Sequence, residues 1–224
     1  MSVSLNEKLK VEFLNSIDKN YNSISVYFET KHSHFIELTS LINEILKCLI
    51  LELNQASIFS TNHLLERLVK LVLIKKHTLG INYSQPDLYN QKTEEAIKKY
   101  DGEILFNTLL FAKKEKLITD EESQTLNNLR DKVRNPYSHA GTKKIIADAP
   151  AKFVGFMFNI NDIKEQLMQG KAITGGTKTE ITTLSPTFSQ LYQESFSKDL
   201  ALDYFRTVFE VLVKLDERLD SMSQ

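Results

Sequence analysis

An all-α helical bundle, with an irregular insertion ahead of its last helix, is the fold this sequence predicts, and three observations carry that prediction. Apolar residues recur at steps of three and four over most of the chain, the spacing that one face of a helix requires. The stretch from Gly141 to Gln190 breaks this rhythm with Gly, Thr and Lys. With 224 residues, 42% of them hydrophobic, the chain buries a sizeable core without a disulfide or structural metal, and its single cysteine, Cys48, excludes an intrachain disulfide. Residues 1–224 therefore read as one helical domain, with 141–190 as an insertion.

The elements follow in order. Leu9, Phe13, Ile17, Ile24 and Phe28 predict a first helix packed on the bundle, with a mobile arm as the alternative. From Ser33 to Leu53, Phe35, Leu38, Leu41, Ile42, Ile45, Leu49 and Leu53 predict a long helix, whose broad apolar side, widened by Leu46 and Ile50, suits a central position. Cys48 on it reads as a small core residue rather than a nucleophile. A further helix starts near Ser60 or Thr61 as N-cap, buries Leu64, Leu65, Leu68, Leu71, Val72 and Ile74, and ends near His77–Gly80. Thr93 to Lys116 is one helix or two, with Gly102 in its middle. Thr119 and Glu122 form a capping-box pattern that opens a helix running to about Arg134. Pro136 restricts Asn135 toward an extended conformation and itself opens a short helix that Asn135 caps. Within the insertion, Phe153, Phe156, Met157, Phe158 and Ile160 are an apolar island, Asp162–Met168 a short helix, and Ile173–Thr183 either a small hairpin turning at Gly175–Gly176 or a loop. Leu202, Phe205, Phe209, Leu212, Leu215 and Leu219 mark the closing helix.

Lys and Arg number 28 against 29 Asp and Glu, a formal net charge of -1, so any contact with RNA or DNA must come from a local patch. The apolar runs fall short of the roughly 20 residues a membrane span needs, so no membrane association is expected. The start carries no long apolar leader segment and the lone cysteine suits a reducing compartment, which together point to the cytoplasm.

The segment LNNLRDKVRNPYSHAGTKK, Leu126 to Lys144, stands above this background. Only five residues of the chain are Arg, and two of them, Arg130 and Arg134, fall four apart here on one helix face. Lys132, Lys143 and Lys144 add charge and Asp131 subtracts one. Arginine's planar, permanently charged fork matches phosphate oxygens. Metal-free RNA cleavage, in which a ribose 2′-hydroxyl attacks the adjacent phosphorus, needs a proton carrier titrating near neutrality and a cation against the phosphate. His139 suits the first role and Arg134 the second. Asn135 either orients the histidine, holds a phosphate oxygen or simply caps the turn. Arg130 reads as a substrate-binding residue, and Tyr137 either stacks on a base or packs into a dimer contact. The structural alternative for the pair is a helix-terminus arginine and an ordinary loop histidine.

The motif R-N-x-x-x-H at Arg134, Asn135 and His139, following an amphipathic helix within a helical protein, resembles the signature of the HEPN superfamily, the higher eukaryotes and prokaryotes nucleotide-binding domains. That resemblance implies a bundle of four or more helices. It implies Arg134 and His139 as catalytic residues with Asn135 as the polar residue beside them, and metal-independent endoribonuclease activity. It also implies a homodimer whose two motifs face one another, and a toxin or phage-defence setting with an antitoxin or other defence protein as partner. Members without catalysis hold nucleotide, RNA or a protein partner, which is the alternative reading here.

Other candidates are weaker. Glu66, three residues after His63 and facing the same way, is placed to hold the Arg134 cluster by ion pairing or to pair at the surface. His32 and His34 do not share a helix face and fall short of a metal site. Glu94–Glu95 and Glu121–Glu122 read as solvated first-turn residues rather than a two-metal centre, and Gly175–Gly176 lacks a phosphate-loop pattern. No cofactor or metal is expected.

Overall fold

The computed structural model describes residues 5–81, 84–139, 152–182 and 186–223. An all-α bundle with a small two-stranded insertion before its final helix is what the chain forms. It divides into two compact units, Met1–His139 with Phe196–Gln224, and Ala140–Ser195.

In the first unit, α1 (Leu5–Glu29) leads to a 3₁₀ turn (Ile36–Leu38) and α2 (Thr39–Ile50). The single helix expected over Ser33–Leu53 is therefore two pieces. Leu51 and Glu52 end α2, with Glu52 in the left-handed region at φ 57. Lys19 of α1 meets the Glu52 carboxylate at 2.5 Å, and Asn20 donates to the Ile50 carbonyl at 3.0 Å. These contacts fasten the middle of α1 to the end of α2.

The reversal at Glu52 lets α3 (Asn54–Thr78) start well before the expected caps, so Thr61 is interior and fully buried and Ser60 is nearly two turns inside the helix. Leu64, Leu65, Leu68, Val69 and Val72 expose nothing. α2 is covered from two sides, by α1 and α3, as its broad apolar surface predicts, and α3 is itself packed by α2, α4 (Pro86–Tyr100), α5 (Leu105–Lys114) and α7 (Asn135–His139). The Thr93–Lys116 region resolves into two helices, α4 and α5, broken at Asp101–Gly102, and α4 begins at Pro86, whose fixed φ suits a first helical position. The capping box forms in full at the start of α6 (Asp120–Leu129): Glu122 N–H donates to Thr119 Oγ1 at 3.2 Å and Thr119 N–H to Glu122 Oε2 at 2.9 Å. The final helix, α9 (Pro186–Ser223), buries Tyr204, Phe205, Val208, Leu212, Leu215 and Leu219. Tyr27 of α1 meets Phe205 and Phe209 edge-on, at 5.3 and 5.0 Å between centroids.

The first helix packs on the bundle only in its later half. Ile24 is buried, but Leu9, Phe13 and Ile17 are about two-fifths exposed. Cys48 is half-buried, and desolvation, with Glu44 second, raises its thiol above the ordinary value, which suits packing rather than nucleophilic attack.

In the second unit, β1 (Lys152–Met157) pairs antiparallel with β2 (Thr177–Thr182), Lys152 opposite Thr182 and Met157 opposite Thr177, with α8 (Ile160–Met168) between them. Gly175–Gly176 is thus not a hairpin turn but the entry to β2. Gly175 takes φ +83, a left-handed conformation that favours glycine, and a Cβ on Gly176 would lie 2.5 Å from the Phe158 ring, which would have to swing aside to admit it.

Candidate functional site

The R-N-x-x-x-H segment begins where α6 changes gauge. Arg130–Arg134 form a π-helical turn, closed by Asn135 N–H donating to the Arg130 carbonyl five residues back. Asn135 is right-handed helical at φ -65, ψ -45, and α7 continues directly through Pro136. The expected extended Asn135 is therefore absent. Proline resists helix interiors because its ring strikes a carbonyl in the preceding turn and its missing N–H wastes a bond, and the widened turn ahead of Pro136 gives the ring the room a regular turn lacks.

The turn presents Arg134 to α3. Its Nε donates to Glu66 Oε1 at 2.8 Å, Nη2 reaches the same oxygen, and Nη1 donates to Asn135 Oδ1 at 3.1 Å. Asn135 Nδ2 donates in turn to Asp131 Oδ1 at 3.3 Å. Asp131 takes the fork of Arg130, Nε to Oδ1 and Nη2 to Oδ2, each at 3.0 Å. Arg130 also donates from Nη1 to Asn127 Oδ1 at 2.5 Å and lies over the Phe106 ring, 4.7 Å from its centroid. Of the expected cations, Arg130 and Arg134 are thus each matched by a carboxylate, and Lys132 remains an exposed ammonium. The local patch is far less basic than its arginines suggest. Lys143 and Lys144 lie outside the described residues, as does the side chain of His139, whose backbone closes α7.

Tyr137 is corrected outright: at 3% exposure it belongs to the core and has no ring face to offer a base. Its edge meets Phe59 of α3 at 6.3 Å and 78°. Beside it, Asn62 Nδ2 donates to Ser138 Oγ at 3.3 Å, and Asn62 Oδ1 accepts from the Tyr204 hydroxyl at 2.7 Å. Burial drives the Tyr204 phenol far above its usual value, with Arg134 lowering it and Glu66 raising it more weakly, so it stays a neutral donor. Because Tyr137 and Ser138 neighbour Phe59 and Asn62 while Arg134 reaches Glu66, the motif segment runs antiparallel to α3.

One shallow cleft of about 230 Å³ opens along that helix, lined by His63, Glu66, Arg67, Lys70, Leu71, Ile74 and Asp101. Sequence reasoning passed over Phe59, Arg67 and Lys70. Their spacing with His63 and Glu66, at i, i+4, i+7, i+8 and i+11, marks one helix face and was the available signal. His32 and His34 diverge: His32 meets Phe209 edge-on at 5.3 Å and burial lowers its pKa against the pull of Asp216, while His34 Nε2 lies 2.8 Å from Asp220 Oδ1. Among the described residues no three His, Cys, Asp or Glu side chains gather as metal ligands, and no helix is long and apolar enough to cross a membrane. Compared with protein-family models, curated proteins and solved structures, the chain matches none.

Proposed function

We propose that this chain is a metal-independent endoribonuclease of the type its R-N-x-x-x-H motif resembles, acting on RNA in the cytoplasm as a homodimer, with an antitoxin or other defence protein as its restraining partner. The observation that carries the reading is the delivery of Arg134 by a π turn onto a carboxylate from a separate helix, since π turns recur at functional sites and a clamped guanidinium is preorganised. In the reaction, the 2′-oxygen bonds to phosphorus as its proton passes to a base, and the 5′-oxygen of the next nucleotide leaves with a proton from an acid. The products are a 2′,3′-cyclic phosphate and a 5′-hydroxyl. His139 serves as one of the two proton carriers, Arg134 braces the pentacoordinate charge, and Asn135 fixes the Arg134 Nη1 edge. Arg130 and Lys132 border the substrate.

A second reading, a non-catalytic nucleotide-, RNA- or protein-binding scaffold, draws on the same contacts. Glu66 and Asn135 already engage all three nitrogens of Arg134, as a purely structural arginine requires.

Mixed tRNA, rRNA and mRNA incubated in EDTA with wild type, Arg134→Ala and His139→Ala separate the two. The enzyme reading expects cutting by wild type with cyclic or 3′-phosphate ends, falling about 10²–10³-fold in Arg134→Ala and 10²–10⁴-fold in His139→Ala. Equal inertness of all three, with RNA still bound by wild type, gives the scaffold reading.

A further inference from the structure

We infer that the α3 face carrying Phe59, His63, Arg67 and Lys70 is a binding track for an extended single-stranded nucleic-acid segment, Phe59 stacking on a base and Arg67 holding phosphate. The inference deepens the proposed ribonuclease reading, on which the choice of RNA as ligand rests, and assigns the substrate to a face that the motif itself does not include.

Three observations converge on this face. From Phe59 to Lys70 it spans roughly 16 Å at the helical rise, room for a short run of an extended strand. Phe59 remains 47% exposed although its ring touches the buried Tyr137 ring, so it is an aromatic anchored on one side and open on the other. Four of the five arginines are committed to carboxylates: Arg130 to Asp131, Arg134 to Glu66, Arg206 to Asp203 and Arg218 to Glu122. Arg67 is the remaining one; among the described residues it has no hydrogen bond or ion pair, and it lines the cleft with His63 and Lys70.

The neighbouring acids offset this charge only in part. Arg134 occupies Glu66, and Lys70 donates to the Asp101 backbone carbonyl rather than to its carboxylate, so two cations, Arg67 and Lys70, share the cleft with the one remaining carboxylate, that of Asp101. An exposed aromatic beside an excess of cations is the combination by which proteins hold single strands, stacking on any base and neutralising phosphate. An acidic peptide would use the cations and leave Phe59 without a role. Antiparallel packing also brings the track alongside the motif: Glu66 meets Arg134, and Asn62 meets Ser138, the residue before His139.

The test is a fluorescence-anisotropy titration of the full chain with a labelled 2′-O-methyl RNA oligonucleotide, single-stranded and as a duplex, which lacks the 2′-hydroxyl nucleophile. Wild type is expected to bind the single strand in preference to the duplex. Arg67→Ala should weaken binding and reduce the salt slope by about one ion. Phe59→Leu, which keeps apolar contact with Tyr137, should weaken it about five- to a hundredfold, with Phe59→Ala no better. Arg206→Ala, removing an exposed arginine from α9, should titrate as wild type. No binding by wild type, or equal binding by Arg67→Ala and Phe59→Leu, overturns the track. So does equal capture of a poly-glutamate peptide that depends on Arg67 and ignores Phe59, which would make the face an acidic-peptide site. Oligonucleotide binding without RNA cleavage would sink the ribonuclease reading and leave the track, whereas cleavage with unaltered binding by the variants would do the reverse.

Discussion

Glu122 serves two structures with one carboxylate. It closes the capping box of α6 and receives the Arg218 fork, Nη1 to Oε2 at 2.7 Å and Nη2 to Oε1 at 2.8 Å. The Arg218 hydrogen bonds are the main cause that holds its carboxyl below the usual range, ahead of an opposing desolvation. A depressed carboxyl contributes stability that is complete above the unfolded value of about 4.3 and is lost as pH falls through the lower folded value. Glu122→Gln is therefore expected to lower stability at pH 7 by roughly 2 kcal/mol in urea unfolding, and the gap from wild type to narrow on acidification below about pH 4. A gap that stays constant with pH would mean the charge is not what matters. The cap was legible in the sequence because Thr119 and Glu122 are three residues apart. Arg218 was not, since it stands 96 residues away and only tertiary packing selects it. Glu66 and Arg134, 68 apart, mark the boundary: the helix-face argument could nominate the pair, but not distinguish it from surface pairing.

Elements follow the same rule one level up. Periodicity announced the existence of the long helices but not their full extent, since α9 starts at Pro186, inside the stretch read as insertion and well before the stripe that begins at Leu202, and spacing is silent about what covers an apolar face. In α1 the stripe Leu5, Leu9, Phe13, Ile17 continues toward Ile24 and Tyr27, but only the later half meets the bundle: Leu5 is 72% exposed and Ile24 2%. Ile24→Ala should thus cost about 2–4 kcal/mol in chemical denaturation, and Phe13→Ala less than about 1 kcal/mol, although both remove an apolar side chain from one helix. Comparable losses would show that the early half of α1 is buried against something in solution. Boundaries were harder for a physical reason. The break at Asp101–Gly102 was announced by its glycine, but the left-handed Glu52 and the π turn before Pro136 leave no trace in the apolar spacing. The π turn mattered most, since it keeps the candidate site helical where the proline rule predicted an extended residue.

At the scale of the molecule, the described core is unevenly shared. Every buried apolar residue, from Ile24 to Tyr137 and Ala201 to Leu219, belongs to the first unit. The second unit has its two-stranded pairing and α8, which buries no residue, and it exposes Val154, Phe156, Met157, Ile160, Leu167 and Met168 by more than half. Two paired strands are marginal in water by themselves, and Val154, Phe156 and Met157 of β1 are more than half exposed, so the hydrogen bonds of the pair should open without the global unfolding that releases α3. Native-state hydrogen exchange is expected to find the amides paired between Lys152–Met157 and Thr177–Thr182 at least about a hundredfold less protected than those of Leu64–Val72, because each tenfold of protection corresponds to about 1.4 kcal/mol of opening free energy. Equal protection would mean that the strands open only when the bundle does, and the partition into two units would then not describe how this chain unfolds. Adding the single-stranded oligonucleotide is expected to raise protection on α3, and unchanged protection there would count against the track.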